Sequence, residues 1–200
     1  LKVSVESVTA DLAGENLMNP LVLKAVSGDI TLSHVQGTVL AKSVSGDVSV
    51  SQGNGAFSLA TVSGNAMLAE WGGDGEVGSV SGDCTLEKCF GRLKVKSTSG
   101  DLAITGPAGE WQASTSSGDV TVKATTPLGE GHVLALSSSS GDVSLTVPTA
   151  SRALFSWSTS SGECETPAGA IVKSHRRRQG EFVLHREEAR VELSSRSGDL

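Results

Sequence analysis

The corner Val26-Ser27-Gly28-Asp29 returns as Val44-Ser45-Gly46-Asp47 and, with small changes, recurs as far as Arg196-Ser197-Gly198-Asp199. Its glycines stand at Gly28, Gly46, Gly64, Gly82, Gly100 and Gly118, 18 residues apart, and then at Gly141 and Gly162, after spacings of 23 and 21. The count of 18 resumes through Gly180 to Gly198, and backwards from Gly28 it reaches Ala10, where Asp11 takes the aspartate place. A period this regular, just below the roughly 20–50 residues of most repeat architectures, is that of β-rolls and short-coil β-helices. It implies eleven turns of one unit, the last cut off after its corner.

A second glycine series (Gly37, Gly55, Gly73, Gly91, Gly109) lies halfway between the first, so each unit reads as two related nonapeptides, G-x-φ-x-φ-x-x-φ-x, with φ apolar. Ile30, Leu32, Val35, Val39 and Ala41 fill it in one unit. Phe57, Leu59, Val62, Leu68 and Trp71 fill it in another, and Val77, Val80, Cys84, Leu86 and Cys89 in the next. The φ-x-φ alternation is the period of a half-buried strand. Glycines between the runs are expected to supply positive φ at tight corners. No amphipathic helix is legible. The expected fold is all-β: one single-stranded parallel β-solenoid, right-handed as parallel crossovers are. A single domain spans 1–200, with regular coils over 7–125 and loop insertions within 126–170. An irregular basic turn at 171–180 precedes final coils at 181–200.

Glycine (24 residues) and serine are plentiful, but both are phased with the apolar positions and so mark corners of an ordered body. One coil cannot offset the entropy of ordering itself; stacked neighbours sharing strand ladders can. The net charge is −6, and residues 1–170 carry 9 basic against 17 acidic side chains, a poor surface for nucleic acid. No apolar run is long enough for a transmembrane segment, and the first ten residues are not a signal peptide. Without an initiator Met, and stopping inside a repeat, the chain reads as trimmed at both ends.

Asp29, Asp47, Asp83, Asp101, Asp119 and Asp142 share one corner position with Asp199, and Asn65, Glu163 and Glu181 fall in the same row. Carboxylates stacked at strand spacing repel one another unless something intervenes. The row is therefore either a cation-binding edge or a set of turn caps accepting from backbone N–H groups, with the serine before each glycine sharing the bonding; capping is the expectation. Calcium-binding β-rolls place aspartate in both half-coils; here it occupies one. Hexapeptide solenoids need an aliphatic every six residues, but Val26 and Leu32 are followed by Thr38. Gly73-x-Gly75-x-x-Gly78 formally matches a dinucleotide fingerprint, yet a strand corner follows where a helix is required.

Cys84, Cys89 and Cys164 fall on or near apolar positions and read as buried thiols. His34, His132, His175 and His185 have no triad or zinc-site company, so no catalytic, cofactor or metal site is expected. The segment His175-Arg176-Arg177-Arg178 puts arginine where the repeat calls for apolar residues. It is a candidate contact for an anionic partner, or a charged bulge that interrupts edge pairing. The swollen loops at Thr125–His132 and Pro148–Ala153, with Trp111 and Trp157, are further ligand candidates.

With its S-G-D-[VIL]-x-[VIL] corners at 18-residue spacing, as in Ser79–Val80-Ser81-Gly82-Asp83 and Ser139–Ser140-Gly141-Asp142, the chain resembles the bacterial adhesin-like family of β-strand-repeat domains of unknown function. The resemblance covers residues 7–200. It implies a parallel β-solenoid at the cell envelope or surface, with no catalytic residue to carry over. The expected function is a non-enzymatic structural or interaction module with a protein or cell-surface partner. The alternatives are a scaffold assembling head to tail through its coil ends, and a carbohydrate-binding or carbohydrate-acting β-helix.

Overall fold

The computed structural model describes residues 2–161, the backbone of 171–176, and residues 178–185 and 188–200. Gly162, Glu163, Cys164 and Arg177, singled out above, lie outside the described residues. Each coil carries two strands in succession: β1 (Val3–Ser7) then β2 (Leu12–Leu17), β3 (Leu21–Ala25) then β4 (Ile30–Gln36), and β5 (Val39–Lys42) then β6 (Val48–Asn54). Next come β7 (Phe57–Ala60) with β8 (Ala66–Gly72), β9 (Gly75–Gly78) with β10 (Cys84–Glu87), and β11 (Phe90–Lys96) with β12 (Leu102–Thr105). The series closes with β13 (Ala108–Thr115) and β14 (Val120–Lys123), then β15 (Val133–Ser138) and β16 (Val143–Thr146). Odd strands stack on odd and even on even, all parallel, so two faces enclose one core. The protein is an all-β parallel β-solenoid of about seven turns, the number that carries β1 to β15.

Register places like on like. Ile30 pairs with Val48, Val48 with Ala66 and Ala66 with Cys84, and the column runs on through Leu102, Val120 and Val143, all buried. Volume is traded between neighbouring coils. A Cβ on Gly53 would lie 2.2 Å from the Trp71 ring, and one on Gly75 would lie 2.4 Å from the carbonyl oxygen of Phe57. The fully buried Trp71 therefore sits over one glycine, beside a Phe57 ring in edge-to-face contact at 5.9 Å.

The two nonapeptides are not equivalent, and this corrects two interior assignments, Val62 and Val80. In the first half-unit, Asn16, His34, Gln52, Glu70 and Lys88 form a column of left-handed residues with φ between 50 and 54°. That kink breaks the alternation, so Leu32 and Val35 both point inward. The second half-unit has no such kink. There the alternation continues, turning Ser43, Thr61 and Ser79 inward and Val44, Val62 and Val80 outward; Val26 is likewise outside. Glycine roles divide in the same way. Gly55 and Gly73 adopt φ of 133 and 134°, as expected, but the Ser-Gly-Asp glycines among the described residues do not lie in the positive-φ region. They are needed for close approach: a Cβ on Gly64 would lie 2.1 Å from the carbonyl oxygen of Gly46.

The expected eleven coils do not hold, because the C-terminal segment is stacked out of sequence order. Beyond β16 come β17 (Ala153–Thr159), β18 (Ile171–Arg176), β19 (Gln179–Leu184) and β20 (Ala189–Ser195). The last of these pairs in parallel with β15 on one side and β17 on the other. Strand β17 then pairs antiparallel with β19, and β19 antiparallel with β18. The residues expected to make the final coils therefore supply one internal strand and half of a closing hairpin. The two loop insertions clasp each other: the Leu128 amide donates to Ser151 Oγ at 3.1 Å, and the Arg152 amide to the Leu128 carbonyl at 2.7 Å.

Replacing Gly64 by alanine forces a Cβ against backbone, which cannot yield cheaply. We expect a loss at the upper end of the roughly 1–3 kcal/mol typical of overpacking. A Cβ on Gly129 meets nothing closer than 3.7 Å, so Gly129→Ala is expected to stay within about 0.5 kcal/mol of the parent. Chemical denaturation of both variants checks the contrast.

Candidate interaction edge

Each Ser-Gly-Asp corner lies flat on the one before it. The Ser45 amide donates to the Val26 carbonyl at 2.9 Å, and the Ser45 hydroxyl donates to the same oxygen at 3.0 Å. The Asp47 amide donates to Oδ1 of Asp29 at 2.8 Å, the Asn65 amide to Oδ1 of Asp47 at 2.7 Å, and the Asp83 amide to the side-chain oxygen of Asn65 at 3.0 Å. The ladder continues through Asp101, Asp119 and Asp142 to Asp199, each amide donating to the side chain one level earlier. Asn65 fits the row because its amide oxygen does the same work as a carboxylate oxygen.

Inside the corner runs a second ladder that the sequence reading missed. Ser43 donates to the Gly28 carbonyl at 3.1 Å and accepts from the Gly46 amide at 3.0 Å. Thr61 and Ser79 repeat both bonds one and two coils on. These hydroxyls are buried and stand three residues before each corner glycine. The signal is present as [Ser/Thr]-x-Ser-Gly, but residue type alone does not separate this hydroxyl from that of the serine next to glycine.

Outside the corner, Val8, Val26, Val44, Val62 and Val80 form an exposed apolar row, 43% to 68% accessible. From Thr98 onward this position turns polar, with Ser116, Ser139, Ser160 and Arg196. The edge of the first five coils thus pairs a valine row with a row of exposed Asp and Asn side chains, at the roughly 4.8 Å spacing of stacked strands.

The other candidates are placed as follows. Asp29, Asp47, Asp83, Asp101, Asp119 and Asp142 share the edge, each with Oδ1 engaged by a backbone amide. Among the described residues, no three or more His, Cys, Asp or Glu side chains gather as a metal would need. His175 and Arg176 lie on β18 and Arg178 is exposed at the turn into β19, away from the valine row in the strand order. Trp111 and Trp157 are buried, which removes them as stacking platforms for a ligand. Gly73–Gly78 forms a corner and β9, not the start of a helix.

Cys84 and Cys89 are free and buried. Burial, with a smaller push from Asp83, raises the Cys84 thiol to about 12, and burial raises Cys89 to about 11.

At β1 and β2 the apolar interior opens into a hollow of about 300 Å³ lined by Val3, Leu12, Leu17, Leu21, Leu23 and Leu32.

Stacked corners of this kind, carried on two parallel faces, define a β-solenoid repeat domain. The chain belongs to the family described as Toastrack DUF4097, whose model matches residues 1–132 and again residues 72–200. The shared stretch, 72–132, is what a repeat allows when one pattern fits in two registers. No curated protein matches the chain, and no solved structure does.

Two outcomes test this geometry. Asp47→Ala leaves the Asn65 amide without its acceptor and should cost about 1–2 kcal/mol, whereas Asp47→Asn should stay within about 0.5 kcal/mol; denaturation midpoints decide. In a Cys164→Ser background, native Cys84 and Cys89 should resist thiol reagents at pH 8 and react fully on unfolding. Their folded-state values are raised, so unfolded thiols ionise first; stability should hold below the ordinary value of 9.0 and decline as pH rises above it.

Proposed function

We propose that this chain is a non-enzymatic interaction module of the bacterial cell envelope or surface, adhering to a protein partner along its valine–aspartate edge. The row Val8–Val26–Val44–Val62–Val80 carries the proposal. A contiguous exposed apolar row rimmed by charge is the usual mark of a protein contact. Its neighbour is a row of Asp side chains on a body whose first 170 residues are strongly acidic, so the partner it suits offers apolar side chains flanked by Lys or Arg. The same reading takes the coils as right-handed, the hand that parallel crossovers favour.

A head-to-tail scaffold is the second reading, favoured by the apolar hollow at the first coil. Against it stands the antiparallel β18–β19 hairpin, which replaces at the other end the parallel edge that such a contact would repeat. Buried Trp111 and Trp157 give no support to a carbohydrate-binding role.

A photo-crosslinking residue at position 44 or 62, in the native bacterium, should form one defined protein adduct, while the same residue at the exposed Gln36, at the other corner of the coil between β4 and β5, should not. Combining it with Asp29→Asn, Asp47→Asn and Asp83→Asn should abolish the adduct and leave the fold intact. An adduct that ignores the charge change, or none at either valine, would sink the proposal.

A further inference from the structure

Strand β20 occupies a place that the chain reaches late. Winding in order would put β17 against β15, yet β20 lies between them in parallel register with both. Leu134 pairs with Val191 and Val191 with Phe155; Leu136 pairs with Leu193 and Leu193 with Trp157. The hydroxyl ladder passes through the same slot: Ser195 donates to the Gly141 carbonyl at 3.0 Å, and Thr159 to the Gly198 carbonyl at 3.4 Å.

The two later strands are copies of one pattern. Ala153-Leu-Phe-Ser-Trp-Ser-Thr-Ser-Ser161 and Ala189-Arg-Val-Glu-Leu-Ser-Ser-Arg-Ser197 agree in polarity at every inward position, two repeat lengths apart. Both offer a small residue, two apolar side chains and a hydroxyl to the core, then a serine before the corner glycine. The slot therefore recognises a pattern, and nothing in it depends on which chain delivers the strand.

We propose that a second copy of this chain supplies β20 to the slot in trans, giving a reciprocal strand-exchanged dimer. The exchange opens the connection between β19 and β20, at whose start His185 holds a left-handed φ of 58°. In the exchanged form every contact of the strand is remade with identical atoms, including the Arg152–Glu188 ion pair at 3.2 Å and the donation of the Asp199 amide to Oδ1 of Asp142 at 2.8 Å. Contact energies cancel between the two forms, so hinge conformation and chain concentration set the balance. A strand on a short tether competes at an effective concentration of order 1 mM, and exchange becomes substantial when chains fold near that value.

The test uses the full chain carrying Cys164→Ser, Ser137→Cys and Ser194→Cys. Ser137 and Ser194 are directly paired on the outer face, so their Cα separation suits a disulfide. The chain is unfolded, refolded under reductant at ~1 µM or ~1 mM, then oxidised, and read by light scattering and non-reducing gel. The expected result is an internally crosslinked monomer at the low concentration and a dimer whose disulfide joins two chains at the high one. Monomer at both concentrations would overturn the proposal. So would a dimer with internal crosslinks only, since that dimer is held by another surface. A companion variant with Ser137→Cys and Ser158→Cys joins strands separated by β20 and should stay reduced throughout. If it oxidises, β17 has taken the slot and β20 has left it, which also overturns the exchange.

Discussion

The structure rests on the contact between one corner carbonyl and the glycine one level on. Gly28 O faces Gly46, Gly46 O faces Gly64 and Gly64 O faces Gly82, each at a distance where a Cβ would lie 1.9–2.1 Å from that oxygen. Only glycine permits this approach. Because the corners sit flush, the Asp carboxylate reaches the next Asp amide and the buried hydroxyl reaches both the carbonyl below and the glycine amide of its own corner. Remove the approach and both ladders lengthen together. Strand pairing on the two faces then loses its common spacing, since both faces are hung from the same corner.

That dependence explains what the sequence disclosed. Gly28 to Gly118 fixed the period, and the φ-x-φ runs fixed strands, parallel stacking and most of the core, because alternation and translation are local properties of the chain. The side of Val26, Val44, Val62 and Val80 was harder. The pattern φ-x-x-φ places an apolar residue inside only if one intervening residue goes left-handed, and that role falls to Asn16, His34, Gln52, Glu70 and Lys88. Asn and His are enriched among left-handed residues, but Gln, Glu and Lys in the same column carry no such signal. The kink thus exists in one half-unit and not the other, with little in the residue types to say which.

The place of β20 was illegible for a different reason. Periodicity says that a segment fits some level of the stack, and it says the same of every copy. Ala153–Ser161 and Ala189–Ser197 are both good occupants of the level above β15. Which one enters depends on how the connections of unequal length, after β16 and after β19, close in space. Order is a global property, and repeats erase the local differences that would encode it. The antiparallel β18–β19 hairpin lies on the side of β17 away from β20, with β19 paired to β17 and β18 outside it.

Translation also turns one residue choice into a surface. In a compact domain an exposed valine is an isolated event of little consequence. In a stack, the residue before Ser-Gly-Asp is copied every coil, so valine at five successive levels becomes a continuous apolar strip roughly 20 Å long. The strip ends where Thr98 replaces Val80, although the corner itself, with Ser99, Gly100 and Asp101, goes on unchanged. The corner chemistry needs its serine, glycine and aspartate but places no demand on the side chain outside it. The valine side chain there serves no ladder and lies outside the core, and the change to polar residues at one defined level bounds a patch that folding does not require.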